Sequence, residues 1–596
     1  MTRLYSQYRS RIGVISIAIL LAFAVLLGQY FRLQVLNHSE YKQVAQKMVA
    51  GWENLIAQRG NILDCNGNEL TKNVAYYTFW VNPGKIENKE EIAALFRDTF
   101  GKDSNYYLRR MKGNTHYSVL EQDVCERECL HILQRQSQLP GLFSDRLVHR
   151  YYPYHEMAAQ VLGYTVRVFD DSTRLYDRFE GSCGLERLCD AQLSGDRGRF
   201  RIQREGSGRA FRSLHEDIPD LQQGMDLHLT MDINLQTILQ YELQCALEET
   251  EAVSANGILV DPFSGAILAM ATVPSFDLND YSSYPLSTYE NKPVSWAYEP
   301  GSTVKTVTIS AALHEAGISS QRMYNCENGK YRYCNRTIHD YKEYDWLSVA
   351  EILIHSSNIG IAKLAVELGP EVLYRYTVNY GFGTPTGITL PGESPGKIFS
   401  FDQWDEHSIP SVAMGHEMSA TTLQTAMLYC ALANGGYLMR PYIIEAMYSH
   451  EGYVHEIHPE VLRQVVPENI AIQIMEMLEE VVESGTGQNA QLPGYRIAGK
   501  TGTAQIFKDG AYSQGEFVSS FAAVFPAQAP QYVCVVAVEA PKYGYHWGNM
   551  AAAPVVRRVF QQIINMSDEL PRFLEEDVKI AALRADHLAP RMKERN

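Results

Sequence analysis

The sequence predicts an α+β protein that one N-terminal helix holds in a membrane. The first observation is an uncharged apolar run over residues 12–31, which no later segment repeats. The second is a set of short apolar runs joined by turn residues, a pattern typical of hairpins. The third is the presence of helical segments between these hairpins. Together they indicate an α+β domain built on an antiparallel sheet.

The apolar run is long enough to cross a bilayer as a helix. Its sequence, IGVISIAILLAFAVLLGQYF, carries no charge over residues 12–31, and a helix of about 20 residues spans a hydrocarbon core of roughly 30 Å. Arg3, Arg9 and Arg11 precede it without any acid. This predicts a cytoplasmic tail over residues 1–11 and an exported remainder. A cleaved signal peptide is the alternative, but the run is long for one and no A-x-A-like site follows.

The composition is that of a globular protein that does not bind nucleic acid. Apolar residues make up 45% of the 596 residues and charged residues 20%, which excludes disordered and coiled-coil classes for the bulk of the chain. The formal net charge is −16 and no basic stripe is present, so nucleic acid is a poor partner. The length predicts about two to four domains.

The ten cysteines all follow the apolar run, in a compartment where disulfides can form. Cys326 and Cys334 bracket a polar loop and are the expected disulfide pair. Cys125 and Cys129 have the i, i+4 spacing of two thiols on one helix face. Paired Cys-x-x-Cys spacing is absent and the histidines are scattered, so the sequence predicts neither a metal site nor a cofactor.

Two exported regions follow the predicted transmembrane helix. Residues 32–222 predict a β-rich pedestal without a catalytic constellation, and residues 223–566 predict the α+β domain. The pedestal elements are a strand ending at Asn66-Gly67, a strand over 75–81 and amphipathic helix over 87–140. The α+β elements are a strand over 225–232, a helix over 234–251, a hairpin over 255–271, and paired strands over 517–525 and 532–539. Residues 567–596 form a charged tail.

The first candidate site lies just after Pro300-Gly301. If a helix begins there, Ser302 and Lys305 share one face a turn apart. A serine becomes a nucleophile when a base takes its proton. A lysine is such a base only when burial or a neighbouring cation keeps it neutral. In isolation this S-x-x-K pattern is more often an ordinary helix start than a nucleophile and its base.

Two further polar clusters follow in the same region. Ser356 and Asn358 interrupt a helical pattern, which predicts a turn between two helices that directs a hydroxyl and an amide into a cleft; helix capping is the alternative. Lys500-Thr501-Gly502-Thr503 suits an exposed strand edge, where glycine lets a substrate backbone come close. Residues 494–501 formally match a phosphate-binding loop, but no helix start follows them, which argues against nucleotide binding.

The three clusters, Ser302-x-x-Lys305, Ser356-x-Asn358 and Lys500-Thr-Gly502, occur in the order typical of penicillin-binding proteins and serine β-lactamases. With the membrane run and the motifs Arg59-Gly-Asn-Ile, Arg150-Tyr-Tyr-Pro and Gly184-Leu-Glu186, nearly the whole chain resembles a class B penicillin-binding protein. The three motif segments, 299–305, 356–360 and 500–504, are most similar to the division (FtsI) type. Cys65 departs from the polar residue usual in the family, at a position in the scaffold.

The resemblance implies a penicillin-binding fold, with helices on both faces of an antiparallel sheet, and a serine-type D-Ala-D-Ala transpeptidase. Ser302 would be the nucleophile and Lys305, held neutral near Lys500, its base. Ser356 would relay the proton. The remaining implied roles are substrate-amide binding by Asn358, carboxylate binding by Thr501 and Thr503, close approach at Gly502, and an oxyanion hole from the N–H groups of Ser302 and Thr503.

The implied ligands are D-Ala-D-Ala stem peptides as substrate and β-lactams as covalent inhibitors. The expected partners are a membrane glycosyltransferase and divisome proteins, and the expected place is the cell (inner) membrane with the outer part periplasmic or extracellular. Several alternatives stay open from the sequence. They are an elongation-type transpeptidase, a carboxypeptidase or β-lactamase that passes the acyl group to water, a penicillin sensor, and a non-catalytic divisome scaffold.

Overall fold

The computed structural model describes residues 2–42, 50–113, 117–170, 175–204, 210–212, 221–508 and 510–567. It contains two compact units. The first unit consists of Met1–Gln58 and Gly195–Gln223, and the second of Arg59–Ser194 and Gly224–Asn596. All of the predicted C-terminal tail except Ser567 lies outside the described residues.

Helices and strands both occur along most of the described chain. The α-helices, in chain order, are α1 (Thr2–Phe31), α2 (Lys89–Phe100), α3 (Ser104–Arg110), α4 (Glu126–Arg135), α5 (Ala159–Leu162), α6 (Gly184–Leu188), α7 (Asp190–Ser194), α8 (Ile233–Thr250), α9 (Lys292–Ser295), α10 (Lys305–His314), α11 (Val349–Ile354), α12 (Asn358–Leu368), α13 (Pro370–Asn379), α14 (Ser408–Ala413), α15 (Thr422–Ala433), α16 (Glu468–Glu483), α17 (Gly548–Ala551) and α18 (Ala553–Met566). The strands are β1 (Ala50–Ile56), β2 (Ile62–Leu63), β3 (Lys72–Val81), β4 (Ser118–Cys125), β5 (Leu142–Tyr151), β6 (Thr165–Asp170), β7 (Leu175–Gly181), β8 (Arg197–Arg204), β9 (Ala210–Arg212), β10 (Asp226–Leu229), β11 (Ser254–Val260), β12 (Ile267–Val273), β13 (Met323–Asn325), β14 (Lys330–Tyr333), β15 (Arg336–His339), β16 (Trp346–Ser348), β17 (Lys397–Ile398), β18 (Met418–Ser419), β19 (Tyr437–Met439), β20 (Ile444–Tyr448), β21 (Val454–Glu456), β22 (Val461–Gln464), β23 (Ala498–Lys508), β24 (Ala511–Phe525) and β25 (Tyr532–Glu539).

The first unit carries the apolar helix. Helix α1 passes into a π-helical turn over Arg32–Leu36, and the stretch Arg11–Leu36 is long and apolar enough to cross a membrane. Its large apolar side chains from Ile12 onward are exposed, as a lipid-facing helix requires. The remainder of this unit includes a three-stranded antiparallel sheet in the order β1-β8-β9.

A five-stranded antiparallel sheet organises the second unit, in the order β12-β11-β25-β24-β23. The predicted hairpin over 255–271 and the predicted pairing of 517–525 with 532–539 are both confirmed, as β11–β12 and β24–β25. Period-2 alternation sends neighbouring residues of β24 to opposite faces: Phe521 and Ala523 pack on α8 and α18, whereas Ala522 and Val524 pack on the other side. Helices therefore cover both faces, as the predicted fold class requires.

A second sheet of this unit has the order β4-β3-β5 and packs against α2, α3 and α4. The expectation of helix throughout residues 87–140 is wrong, because β4 separates α3 from α4. Strand β3 offers a free edge that β4 fills, with register shifts along the pair, and such pairing outweighs a weak local helix preference. Cys125 consequently ends strand β4, whereas Cys129 lies within helix α4, so the two thiols do not share one helix face.

The predicted Cys326–Cys334 disulfide is also wrong, since both thiols are free. Cys326 is fully buried, with Sγ 3.6 Å from Ser357 Oγ. Cys334 is exposed at the turn between β14 and β15, with a φ of +52°. Strand β14 lies between the two cysteines, with Cys326 before it in the core and Cys334 after it at the exposed turn, so their closeness in sequence does not bring the sulfur atoms together.

A buried carboxylate ties the start of the second unit to its helices. Glu186 is inaccessible to solvent and receives hydrogen bonds from Arg59 Nε at 2.8 Å and Arg150 Nε at 2.7 Å. Arg59 also donates to Asp190 at 2.7 Å. Removing one member of a buried ion pair leaves its partners charged and desolvated. Arg59, Arg150 and Glu186 belong to the motifs noted in the sequence, and in the folded chain they form one structural network.

We expect Glu186→Ala to lower the free energy of unfolding by about 3–5 kcal/mol, because both arginines lose their counter-charge in a dry site. Denaturant unfolding followed by circular dichroism measures this change. The matched control is Glu460→Ala, which breaks the exposed 2.6 Å pair with Arg440 and should cost about 0–1 kcal/mol. Equal effects of the two substitutions would contradict the network's structural role.

Candidate active site

The segment around Ser302 is a tight helical start. Pro300 precedes a 3₁₀ turn over Gly301–Val304, and α10 begins at Lys305. In a 3₁₀ turn, positions i and i+3 eclipse each other, so Ser302 and Lys305 lie on one face. Gly301 has a φ of +57°, and a Cβ there would lie 2.9 Å from Thr503 O. The glycine thus lets strand β23 approach the residue before Ser302.

The second cluster lies in the turn between α11 and α12, as the sequence predicts. Ser356 adopts a left-handed φ of +57°, which turns the chain sharply between the helices. Lys305 Nζ donates to Ser356 O at 2.7 Å and to Asn358 Oδ1 at 2.8 Å, and it lies 3.3 Å from Ser356 Oγ. The buried amine of the first cluster is therefore held by the second.

The third cluster lies on β23, the edge strand of the central sheet. Lys500 Nζ donates to Ser356 Oγ at 2.9 Å. Thr501 Oγ1 lies 3.1 Å from Thr486 Oγ1, and Thr503 Oγ1 accepts the N–H of Gly548 at 3.1 Å. Residues 499–501 lie inside a strand rather than in a loop before a helix, so the geometry of a phosphate-binding loop is not formed by this segment.

Gly502 is required by packing around this strand. A Cβ at this position would lie 2.3 Å from Ser520 Oγ and 2.8 Å from Pro300 O. Such contacts would push β23 away from the Ser302 turn, since real Cβ atoms do not approach backbone oxygen this closely. The glycine keeps the strand edge near the candidate nucleophile.

Burial sets the protonation of the two lysines. Both side chains are inaccessible to solvent. Burial lowers the pKa of Lys305 to about 7, and the Asp340 carboxylate opposes this shift. Burial, followed by repulsion from Lys305, lowers the pKa of Lys500 well below its ordinary value. The family resemblance implies that Lys500 keeps Lys305 neutral; in the structure burial is the largest cause of the lowered pKa of both lysines, and repulsion between the two amines disfavours charging both at once.

This arrangement can activate a serine and move its proton. The Ser356 hydroxyl lies between two amines, at 3.3 Å from Lys305 Nζ and 2.9 Å from Lys500 Nζ. A hydroxyl can accept from one neighbour while it donates to another. A neutral amine one turn after a serine has the chemistry of a general base for that serine. Within the described part of the chain, no group of three or more His, Cys, Asp and Glu side chains has the arrangement of a metal site.

Asp340 organises the second cluster, although it lies in none of the motifs predicted from the sequence. Its carboxylate accepts from the backbone N–H of Asn358 at 2.5 Å and Ile359 at 3.0 Å, and from Ser357 Oγ at 2.6 Å. These N–H groups open α12, where a helix has unpaired donors and a favourable field for an anion. Asp340 follows β15 and nothing in the local sequence marks it, because its partners lie 17 to 19 residues later.

We expect Asp340→Ala to reduce acylation by a β-lactam by about 10²-fold, because Asn358 and Ser356 lose the anchor that holds their turn and a shift of about 1 Å at a reacting centre has an effect of that size. Stopped-flow kinetics with a chromogenic β-lactam measures the rate. Asp345→Ala, at an exposed aspartate of the same segment, is the control. An unchanged acylation rate in Asp340→Ala would show that the turn at Ser356 keeps its conformation without the Asp340 carboxylate.

Two family models match the chain. The model described as "Penicillin binding protein transpeptidase domain" matches residues 256–561, which include all three clusters. The model described as "Penicillin-binding Protein dimerisation domain" matches residues 54–229.

Curated relatives match over most of the chain. Stage V sporulation protein D of Bacillus subtilis is 31% identical over 523 residues, covering 86% of this chain and 78% of that protein. Peptidoglycan D,D-transpeptidase FtsI of Escherichia coli K12 is 28% identical over 555 residues, covering 91% and 90%. The FtsI homolog of Mesostigma viride is 28% identical over 601 residues, covering 94% and 96%.

Solved structures share the fold. Penicillin-binding protein 2X of Streptococcus thermophilus superposes with a TM-score of 0.76 at 23% identity, covering 89% of this chain and 82% of that one. Penicillin-binding protein 3 of Mycobacterium tuberculosis, solved with aztreonam, superposes with a TM-score of 0.67 at 25% identity, covering 88% and 99%. The architecture predicted from the clusters is thereby confirmed.

Proposed function

Because this chain belongs to the penicillin-binding protein transpeptidase family, whose members act through a serine acyl-enzyme, we propose that Ser302 is the acylated residue and that Lys305 is its base. The observation that carries this proposal is the geometry of the buried amines. Lys305 lies one turn after Ser302, and the Ser356 hydroxyl bridges it to Lys500. The chain is a peptidoglycan D,D-transpeptidase, and its FtsI relatives support the division type.

In acylation, Ser302 Oγ attacks the carbonyl carbon of the penultimate D-alanine in a stem peptide. A C–O bond forms, and the C–N bond to the terminal D-alanine breaks. Lys305 takes the hydroxyl proton and gives a proton to Ser356 Oγ as Ser356 passes its own to the leaving amine, so both groups return to their starting states. The close contact between Lys305 Nζ and Ser356 Oγ supports this route. General base catalysis of this kind contributes about 10²–10⁴-fold.

The edge strand β23 is proposed to hold the donor peptide. Lys500, Thr501 and Thr503 would bind its terminal carboxylate, and Gly502 leaves room for the substrate backbone. Asn358, fixed by Lys305 and by its own N–H to Asp340, would bind a substrate amide. The backbone N–H groups of Ser302 and Thr503 would stabilise the oxyanion, a contribution of about 2.7–4 kcal/mol for each donor.

In the second half-reaction, the amine of a neighbouring stem peptide attacks the ester carbonyl. A C–N bond forms, the Ser302 ester bond breaks and the hydroxyl is regenerated with the amine's proton. The product is a cross-link. β-Lactams are ligands of this family, and the strained amide of the β-lactam ring would acylate Ser302 in the same way, without a leaving group that departs.

The cellular setting follows from the anchor. The apolar helix and the relatives indicate a membrane-anchored enzyme. We propose that residues 1–11 are cytoplasmic, because Arg3, Arg9 and Arg11 precede the helix without acids. The catalytic domain, over residues 223–566, would then work outside the membrane on a pedestal over residues 32–222. The proposed partners are a membrane glycosyltransferase, which supplies strands to cross-link, and other division proteins.

Product analysis with the full-length protein in detergent tests the function. Uncross-linked glycan strands that carry pentapeptide stems should give cross-linked dimers with release of D-alanine. Release of D-alanine without dimers would favour a carboxypeptidase. If neither D-alanine nor dimers form, a sensor or scaffold is favoured. In cells, depletion should give filaments; rounded cells would point to elongation instead.

A further inference from the structure

Two exposed aromatic side chains meet beside the three clusters. The rings of Tyr341 and Trp547 lie 5.3 Å apart between centroids, at an interplanar angle of 67°. Tyr341 is 74% exposed and Trp547 is 43% exposed, so this edge-to-face contact is outside the core. It joins segments more than 200 residues apart in the sequence, so the tertiary fold brings the two rings together.

On one side of this contact, two consecutive residues hold Asn358 and Tyr341 follows them in the chain. His339 O accepts from Asn358 Nδ2 at 3.1 Å. Asp340 accepts from the Asn358 backbone N–H. Tyr341 comes next in the chain, so its position is fixed by the same segment that fixes the proposed substrate-amide residue.

On the other side, the partner ring is tied to the edge strand. Gly548 follows Trp547 and donates its N–H to Thr503 Oγ1 at 3.1 Å. A Cβ on Gly548 would lie 2.5 Å from Gly502 O, which demonstrates how closely this segment approaches β23. Ser519 Oγ also donates to His546 O at 2.7 Å, which anchors the preceding residue to β24.

The contact therefore connects segment 339–341, which bonds to Asn358, with segment 546–548, which bonds to Thr503. A donor peptide would lie between Asn358 and Thr503. We propose that Tyr341 and Trp547 form an aromatic strap that closes over the acyl-enzyme and sets the partition between amine and water. This inference rests on the proposed transpeptidase function. Covering a reactive ester keeps bulk water from hydrolysing it while the second stem peptide binds.

The strap residues are positioning residues, because they act on solvent access and carry no group to the reacting atoms. Their loss should leave the Ser302 reaction intact and change the fate of the ester. Acylation by a small β-lactam does not require an acceptor amine to bind. Its rate should therefore depend little on the strap. This separates the strap from the catalytic residues.

The test compares Tyr341→Ala and Trp547→Ala with Tyr341→Phe and Trp547→Phe in the full-length protein, using glycan strands with pentapeptide stems. Mass spectrometry gives the ratio of hydrolysed to cross-linked product. We expect a rise of about fivefold or more in the alanine variants, recovery in the phenylalanine variants, and β-lactam acylation within about twofold of wild type. Tyr453→Ala, at an exposed tyrosine elsewhere, should leave the ratio unchanged.

The double alanine variant adds a second readout. If the two rings form one closure, the double variant should give no more hydrolysed product than the more affected single variant. The effects of substituting two residues in contact do not add. An unchanged ratio in the alanine variants, with wild-type dimers still formed, would overturn the strap and leave the proposed function intact. A wild-type protein that forms no dimers would instead overturn the proposed function.

Discussion

Ser302→Ala should abolish covalent labelling by a fluorescent penicillin. The substitution removes the only atom that the proposed mechanism acylates, and loss of a serine nucleophile lowers turnover by on the order of 10⁶-fold in the serine protease where it was measured. Labelling followed by denaturing electrophoresis, and the mass of the intact protein after exposure to the β-lactam, measure the effect. Cross-linked dimers should disappear with the label.

The control for this variant is Ser283→Ala, which removes an exposed hydroxyl that bonds to Asp280. Both variants should unfold at the wild-type temperature, since Ser302 has a half-buried side chain at a helix start. Labelling of Ser302→Ala at the wild-type rate would refute the assignment of the nucleophile. Loss of labelling in both variants would indicate a damaged fold rather than a missing nucleophile.

Lys305→Met should reduce the rate of acylation by about 10²–10⁴-fold, the usual contribution of a general base. Methionine keeps most of the apolar volume and removes the amine that bonds to Ser356 and Asn358. The matched control is Lys363→Met, at a lysine that bonds to Asn325 and Glu327 on the same domain. A control variant with the same loss would refute a specific role for Lys305.

The pH dependence of wild-type acylation tests the same residue. Burial lowers the pKa of Lys305 to about 7. Below that pH the Lys305 amine is protonated and cannot accept the serine proton. Above that pH the amine is neutral and can accept it. The rate should therefore rise as pH increases through about 7 and then level off. A rise that continues toward about pH 10, near the ordinary pKa of a lysine, would exclude Lys305 as the base.

Much of the fold could be predicted because its signals are local. Short apolar runs predicted β11, β12, β24 and β25, and the turn residues between the first two predicted a hairpin. The turn at Ser356 was visible as an interruption between two helical patterns. The prediction of helix failed at β4, where pairing with the edge of β3 decides the structure. The predicted Cys326–Cys334 disulfide failed because Cys326 is buried whereas Cys334 is exposed.

By itself the sequence determined the three motifs of the candidate site, since short spacings, such as that between Ser302 and Lys305, depend only on the geometry of one turn. Tertiary structure decided how these residues meet. Lys305 and Lys500 reach one hydroxyl although 195 positions separate them, and Asp340 and the Tyr341–Trp547 contact have no local signature. Burial and long-range contact are properties of packed surfaces, so the neutral amine that the chemistry needs exists only once the chain has folded.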